Sequence, residues 1–166
     1  MDTVNRHRQN LLAQYKRADK AGAIVASAKK LARLILENNE LLPPHRKKIL
    51  KEVLWLISEA DGKYRTRYRS AEVVRLACEV RDCEVPIQHE HVYPRASVAD
   101  RMLRERDELL RDPEKLEVLL DQTIGCVVTR AEHAKLKSGE GWARYKDVRV
   151  LDMSTVPPKP RRNKAR

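Results

Sequence analysis

Apolar residues return every three or four positions along most of this chain, the period of an amphipathic helix, and leave that period in only a few short stretches. Over residues 4–39, Leu11, Leu12 and Tyr15 share one helical face. Ile24, Ala28, Leu31, Ile35 and Leu36 share another, and Gly22 marks a break or kink between two helices. Asn38-Asn39 and Pro43-Pro44 close this unit, the second proline suiting the start of a helix. A helix over residues 45–60 turns Ile49, Val53, Leu54, Leu56 and Ile57 inward and ends at Asp61-Gly62. After a loop, Ser70 is the expected N-cap of a helix to about residue 82, with Val73, Val74, Leu76, Ala77 and Val80 inward.

In the second half, helices are predicted over residues 97–111 and again from Asp112-Pro113, where Leu116, Leu119 and Leu120 are apolar. The pattern becomes strand-like at residues 86–91 and 125–128, which are expected to pair antiparallel. Thr129 followed by Glu132 is a capping box, so a helix starts at Arg130 and ends near Ser138-Gly139. A further short strand is expected over residues 148–151.

Composition narrows the class. At 166 residues the chain is most simply one domain with a real core. With 42% apolar residues and no Phe, that core is built from Leu, Val, Ile and Ala, which suits packed helices. Cys78, Cys83 and Cys126 argue against a disulfide framework. No apolar run approaches the roughly 18 residues of a membrane span. The first ten residues lack the apolar centre of a signal peptide. A reducing, cytoplasmic setting without a membrane partner is expected.

Charge adds a partner. The net charge of +11 favours a polyanion, nucleic acid first. Residues 63–70 alternate Arg65, Arg67 and Arg69 with tyrosines. They read equally as phosphate contacts with aromatic packing or as a solvated loop whose tyrosines cover the core. Residues 157–166 hold five basic residues and no acid, Lys159, Arg161 and Arg162 among them. This tail is expected to be disordered and to touch phosphate through charge.

The candidate chemistry lies in Ile87-Gln88-His89-Glu90-His91-Val92-Tyr93-Pro94-Arg95. Strand alternation sends His89 and His91 to one face and Glu90 to the other, and a turn ending at Pro94 can re-aim one of them. An imidazole titrates near neutral pH and a carboxylate holds a hard cation, so a metal-assisted base is a natural reading. His133 sits in the first turn of the capped helix, directed back toward the strands.

A strand ending in Glu-His-Val-Tyr-Pro, a second strand, and a helix bearing His133 resembles the HNH, or His-Me finger, endonuclease family. The resemblance covers about a third of the chain. It implies an α+β, mainly α fold: a helical bundle-like body with a small ββα-metal finger in the C-terminal half. It implies that Glu90 and His133 bind one divalent metal ion, with His89 orienting or replacing Glu90, and that His91 is the general base. Arg95 is placed to clamp a phosphate oxygen. Carboxylate favours Mg²⁺ or Mn²⁺, and imidazole favours Zn²⁺. The expected substrate is nucleic acid, DNA ahead of RNA. The expected division is a helical region at 1–82, a finger with a helical insert at 83–152, and a basic tail at 153–166.

Two other readings fit parts of the pattern. Cys78, Cys83, His89 and His91 form a rival structural zinc set of poor spacing. A non-catalytic nucleic-acid-binding protein with a degenerate finger accounts for the charge and leaves the histidine arrangement to coincidence.

Overall fold

The computed structural model describes residues 3–79 and 86–155. The fold is α+β and mainly α. Helices α1 (Thr3–Leu12), α2 (Ala21–Glu37) and α3 (Pro43–Ser58) precede strand β1 (Tyr68–Ser70) and helix α4 (Ala71–Glu79). Strand β2 (Ile87–His91) follows, then helices α5 (Arg95–Arg104), α6 (Arg106–Arg111) and α7 (Pro113–Asp121). Strand β3 (Gly125–Thr129), helix α8 (Arg130–His133), a 3₁₀ turn (Trp142–Tyr145) and strand β4 (Val150–Asp152) complete the order.

The two predicted motif strands pair antiparallel, with His89 opposite Val127, Glu90 opposite Cys126 and His91 opposite Gly125. They are half of a larger sheet of order β2-β3-β1-β4, in which β1 runs parallel to β3 and antiparallel to β4. Every residue of β3 is buried. It reads as a continuous apolar run because both of its faces are covered. Val127 packs on one face with Leu11, Val73 and Ala77. Cys126 and Val128 pack on the other with Val92, Tyr145 and Val148. A third cluster joins α2 and α3 to α5, α6 and α7 through Leu36, Leu50, Leu54, Met102 and Leu120. The helices on the two sides of residue 82 thus share one core, and β1 from the first stretch joins the sheet of the second.

Several local expectations change. The helical face over 4–39 is interrupted at residues 13–20, ahead of Gly22. There Tyr15 N–H donates to the Met153 carbonyl, and the Tyr15 hydroxyl and Ala18 N–H donate to the Asp61 carboxylate at 2.9 and 2.7 Å. Helix α3 begins at Pro43, where a missing N–H costs nothing. The helix expected over 97–111 is divided at Glu105 into α5 and α6. Helix α8 stops after one turn, because Lys135 and Leu136 make tight three-residue bonds back to Glu132 and His133. Ile24, Leu31, Ile49 and Leu56, expected inward, are exposed; Ala28, Ile35, Leu36, Val53 and Leu54 are buried as expected, and Ala32 and Leu50 join them.

The Tyr/Arg segment is the larger correction. Its end is strand β1, not loop, and Arg69 is 1% exposed. Its guanidinium donates to the carbonyls of Leu11, Ala13 and Thr66 at 2.7, 2.8 and 3.2 Å, stitching the end of α1 to the sheet. Burial, with Arg65 adding to it, pulls its pKa down to about 10. Arg69 therefore does not contact phosphate. Ser70 caps α4 as expected, accepting from Val73 N–H at 3.1 Å. Val80 and Cys83, together with Lys159, Arg161 and Arg162 of the tail, lie outside the described residues.

Candidate active site

The junction of β2, β3 and α8 is held by Glu132. Its carboxylate accepts from Thr129 N–H at 2.9 Å and from the Ser70 hydroxyl at 2.6 Å, while Thr129 Oγ1 accepts from Glu132 N–H at 3.0 Å. This capping box links the start of α8 to the end of β1. It presents His133 to the face of β2 that carries Glu90.

On that face Glu90 Oε2 and His133 Nδ1 are 2.8 Å apart. The contact is close enough for an ion pair, yet Nδ1 is sealed from solvent and makes no hydrogen bond. The two atoms approach off the line of an N–H donor. Two donors bound to one ion at right angles are about 3 Å apart, so the pair fits a shared cation. Arg144 donates to Glu90 Oε1 at 3.2 and 3.3 Å and to the His91 carbonyl at 2.8 Å, which fixes the carboxylate's orientation. Gln88 reaches the other ring nitrogen of His133 at 3.3 Å. That contact comes from the Gln88 amide nitrogen, whose N–H donates to the lone pair on Nε2. Tyr145, 3% exposed on the same side, has an unpaired hydroxyl whose pKa is raised by burial, with Cys126 and Glu90 adding to it.

The opposite face is built by α3. Trp55 packs against His89 and His91 with ring centroids 5.5 and 5.4 Å away. His89 contacts the Lys63 carbonyl through Nδ1 at 2.8 Å, and its Nε2 is buried and unpaired. Gly125 makes room for that ring, since a Cβ there would lie 2.6 Å from Nε2. Ser58 Oγ lies 2.9 Å from His91 Nε2. Burial first, then His89, Arg95 and Arg144, hold the His91 pKa down to about 3, so the ring is neutral at neutral pH. Burial lowers His89 in the same direction.

β2 is one of the two edge strands of the sheet, and a cleft of about 560 Å³ runs along it. Gln88 and Glu90 from one face and His89 and His91 from the other line this cleft, with Lys51, Lys63, Arg95 and Arg130 around them. Four cationic side chains against one carboxylate make the cleft basic. Arg95 is the first residue of α5; its guanidinium lies 4.4 Å over Trp55 and donates to the Lys51 carbonyl at 3.0 Å.

The structure brings together Glu90 and His133, and His91 with Arg95. It does not bring His89 to the Glu90–His133 pair, and alternation along β2 is the reason. Arg67 is half-exposed but committed to Asp152 at 2.6 Å, and Arg65 is exposed. In the rival zinc set, Cys78 is on α4 and Cys83 lies outside the described residues. Among the described residues no group of three or more His, Cys, Asp or Glu side chains has the geometry to hold a metal alone. Sequence reasoning missed Ser58 and Arg144. Ser58 carries no signal in a helical pattern, and only Gly141 with its aromatic neighbours marks the turn that delivers Arg144. No family model matches the chain, and neither a curated protein nor a solved structure matches it.

Proposed function

We propose that this protein is a metal-dependent endonuclease of the His-Me finger kind, hydrolysing phosphodiester bonds of nucleic acid, DNA ahead of RNA. One observation carries the reading: Glu90 Oε2 and His133 Nδ1 stand 2.8 Å apart without a hydrogen bond, beside a basic cleft that also contains a neutral histidine. Glu90 and His133 would hold one divalent ion, Mg²⁺ or Mn²⁺ before Zn²⁺. Two protein ligands would leave positions for water and phosphate oxygens, which suits Mg²⁺. Such an ion would supply Lewis-acid charge stabilisation at the phosphate.

The chain's own residues do the rest. Neutral His91 accepts a proton from the attacking water. Its depressed pKa makes it a weak base in the free protein, and a phosphate anion in the cleft raises that pKa toward the working range. Arg95, with Lys51, Lys63 and Arg130, binds phosphate oxygens. Arg144 keeps Glu90 turned toward His133.

A second reading is favoured by one observation: Arg144 already neutralises Glu90 Oε1, as in a purely structural ion pair. On that reading the protein is a basic nucleic-acid binder with no metal dependence. Cleavage of supercoiled plasmid and of RNA with Mg²⁺, Mn²⁺ or Zn²⁺, against an EDTA control, tests the two. Nicking or cutting that EDTA stops supports the enzyme. Retained binding with no cleavage under any metal supports the binder.

A further inference from the structure

Ser58, at the last residue of α3, makes two contacts with one proton. Its hydroxyl donates to the Trp55 carbonyl at 2.9 Å, one turn back in the helix. Its Oγ also lies 2.9 Å from His91 Nε2. A serine hydroxyl has one hydrogen and two acceptor lone pairs. With that hydrogen held by Trp55, the contact to His91 forms only if Nε2 carries the proton and donates. The ring is then the Nε2–H tautomer, with its lone pair on Nδ1. Among the described residues Nδ1 has no hydrogen-bond partner, and it is not one of the sealed unpaired atoms. His91 lines the cleft, so Nδ1 is the nitrogen left for an incoming proton.

We propose that Ser58 is a positioning residue that sets the His91 tautomer and makes Nδ1 the proton-accepting atom of the cleft. The assignment adds to the nuclease reading a helix 33 residues upstream, and its catalytic consequence rests on that reading. Trp55 contributes twice, as the carbonyl that fixes the Ser58 hydrogen and as the ring that packs against His91. The tautomer itself is a property of the fold.

Nitrogen-15 spectra of the histidine side chains in the full chain read the tautomer without any substrate. At pH 7 the wild type is expected to show His91 protonated at Nε2 with a free Nδ1. Ser58→Ala is expected to lose this preference and show a mixture, while Ser58→Thr, which keeps the hydroxyl, retains it. A wild-type ring protonated at Nδ1, or a tautomer unchanged in Ser58→Ala, overturns the proposal. In the plasmid assay Ser58→Ala is expected to lower kcat about 10- to 100-fold with KM unchanged, and Ser58→Thr to restore most of it. Equal loss in both variants, or a covalent adduct on Ser58, overturns the positioning role and makes the serine a nucleophile. If the wild type cleaves nothing, the nuclease reading falls while the nitrogen spectra still decide the tautomer.

Discussion

Strand β2 has two chemically different faces. Glu90 meets a half-exposed His133 at one carboxylate oxygen and the Arg144 guanidinium at the other. One residue away in either direction, His89 and His91 pack against Trp55, largely buried at the wall of the cleft, and burial lowers both pKa values. The period of two places Glu90 on one face and His89 and His91 on the other, and the edge position of β2 lets one cleft touch both. The comparison teaches that a strand edge can present a carboxylate–imidazole pair and a largely buried imidazole to one cleft, with Arg144 beside Glu90 still reaching across to lower the His91 pKa.

The separation can be broken by mutation. His91→Ala is expected to lower cleavage by about 10²–10⁴-fold while leaving calorimetric Mn²⁺ binding unchanged. Glu90→Ala and His133→Ala are expected to do the reverse in order, losing metal affinity first and cleavage with it. That loss should exceed the roughly 10–100-fold typical of an outer partner. If His91→Ala weakens metal binding as much as His133→Ala, the two faces are not independent.

The dry face has an acid signature. The folded His91 pKa is about 3 and its ordinary value 6.5, so the unfolded chain binds this proton more readily. Stability is full above pH ~6.5 and is lost as pH falls through that window toward ~3, by on the order of a few kcal/mol. His89 shifts in the same direction and steepens the loss. Urea unfolding midpoints across this range check it, and His91→Gln should flatten the acid limb. Gly125→Ala is the smallest change on this face. Its new Cβ would meet His89 Nε2 at 2.6 Å and Thr66 Cγ2 at 3.2 Å, so about 1–3 kcal/mol of stability should be lost. Metal affinity on the Glu90 face should be untouched. An unchanged unfolding midpoint would show that His89 is free to move.

The sequence by itself determined the elements whose causes are local. The Thr129–Glu132 capping box, the Ser70 cap, the proline start of α3 and the two motif strands all depend on residues a few positions apart. It also determined that His89 and His91 share a face, because alternation is a property of the strand. Tertiary structure decided what each face meets. Arg69 looked like a phosphate ligand because charge pattern does not reveal a neighbour 58 residues away, the Leu11 carbonyl that buries it. Strand β1 is three residues long and exists through its partners β3 and β4, so no period announces it. Ile24, Leu31 and Leu56 satisfy helical stripes with Ala28 and Val53, yet the packed core buries Ala28 and Val53, adds Ala32 and Leu50, and leaves those three exposed. Ser58, Trp55 and Arg144 reach the histidine motif from 33, 36 and 53 residues away, through a helix end and a glycine turn whose placement depends on the packed core. A motif names its own residues from local chemistry. The groups that set tautomer, charge and access come from contacts between segments distant in the chain, which exist only once the chain has closed on itself.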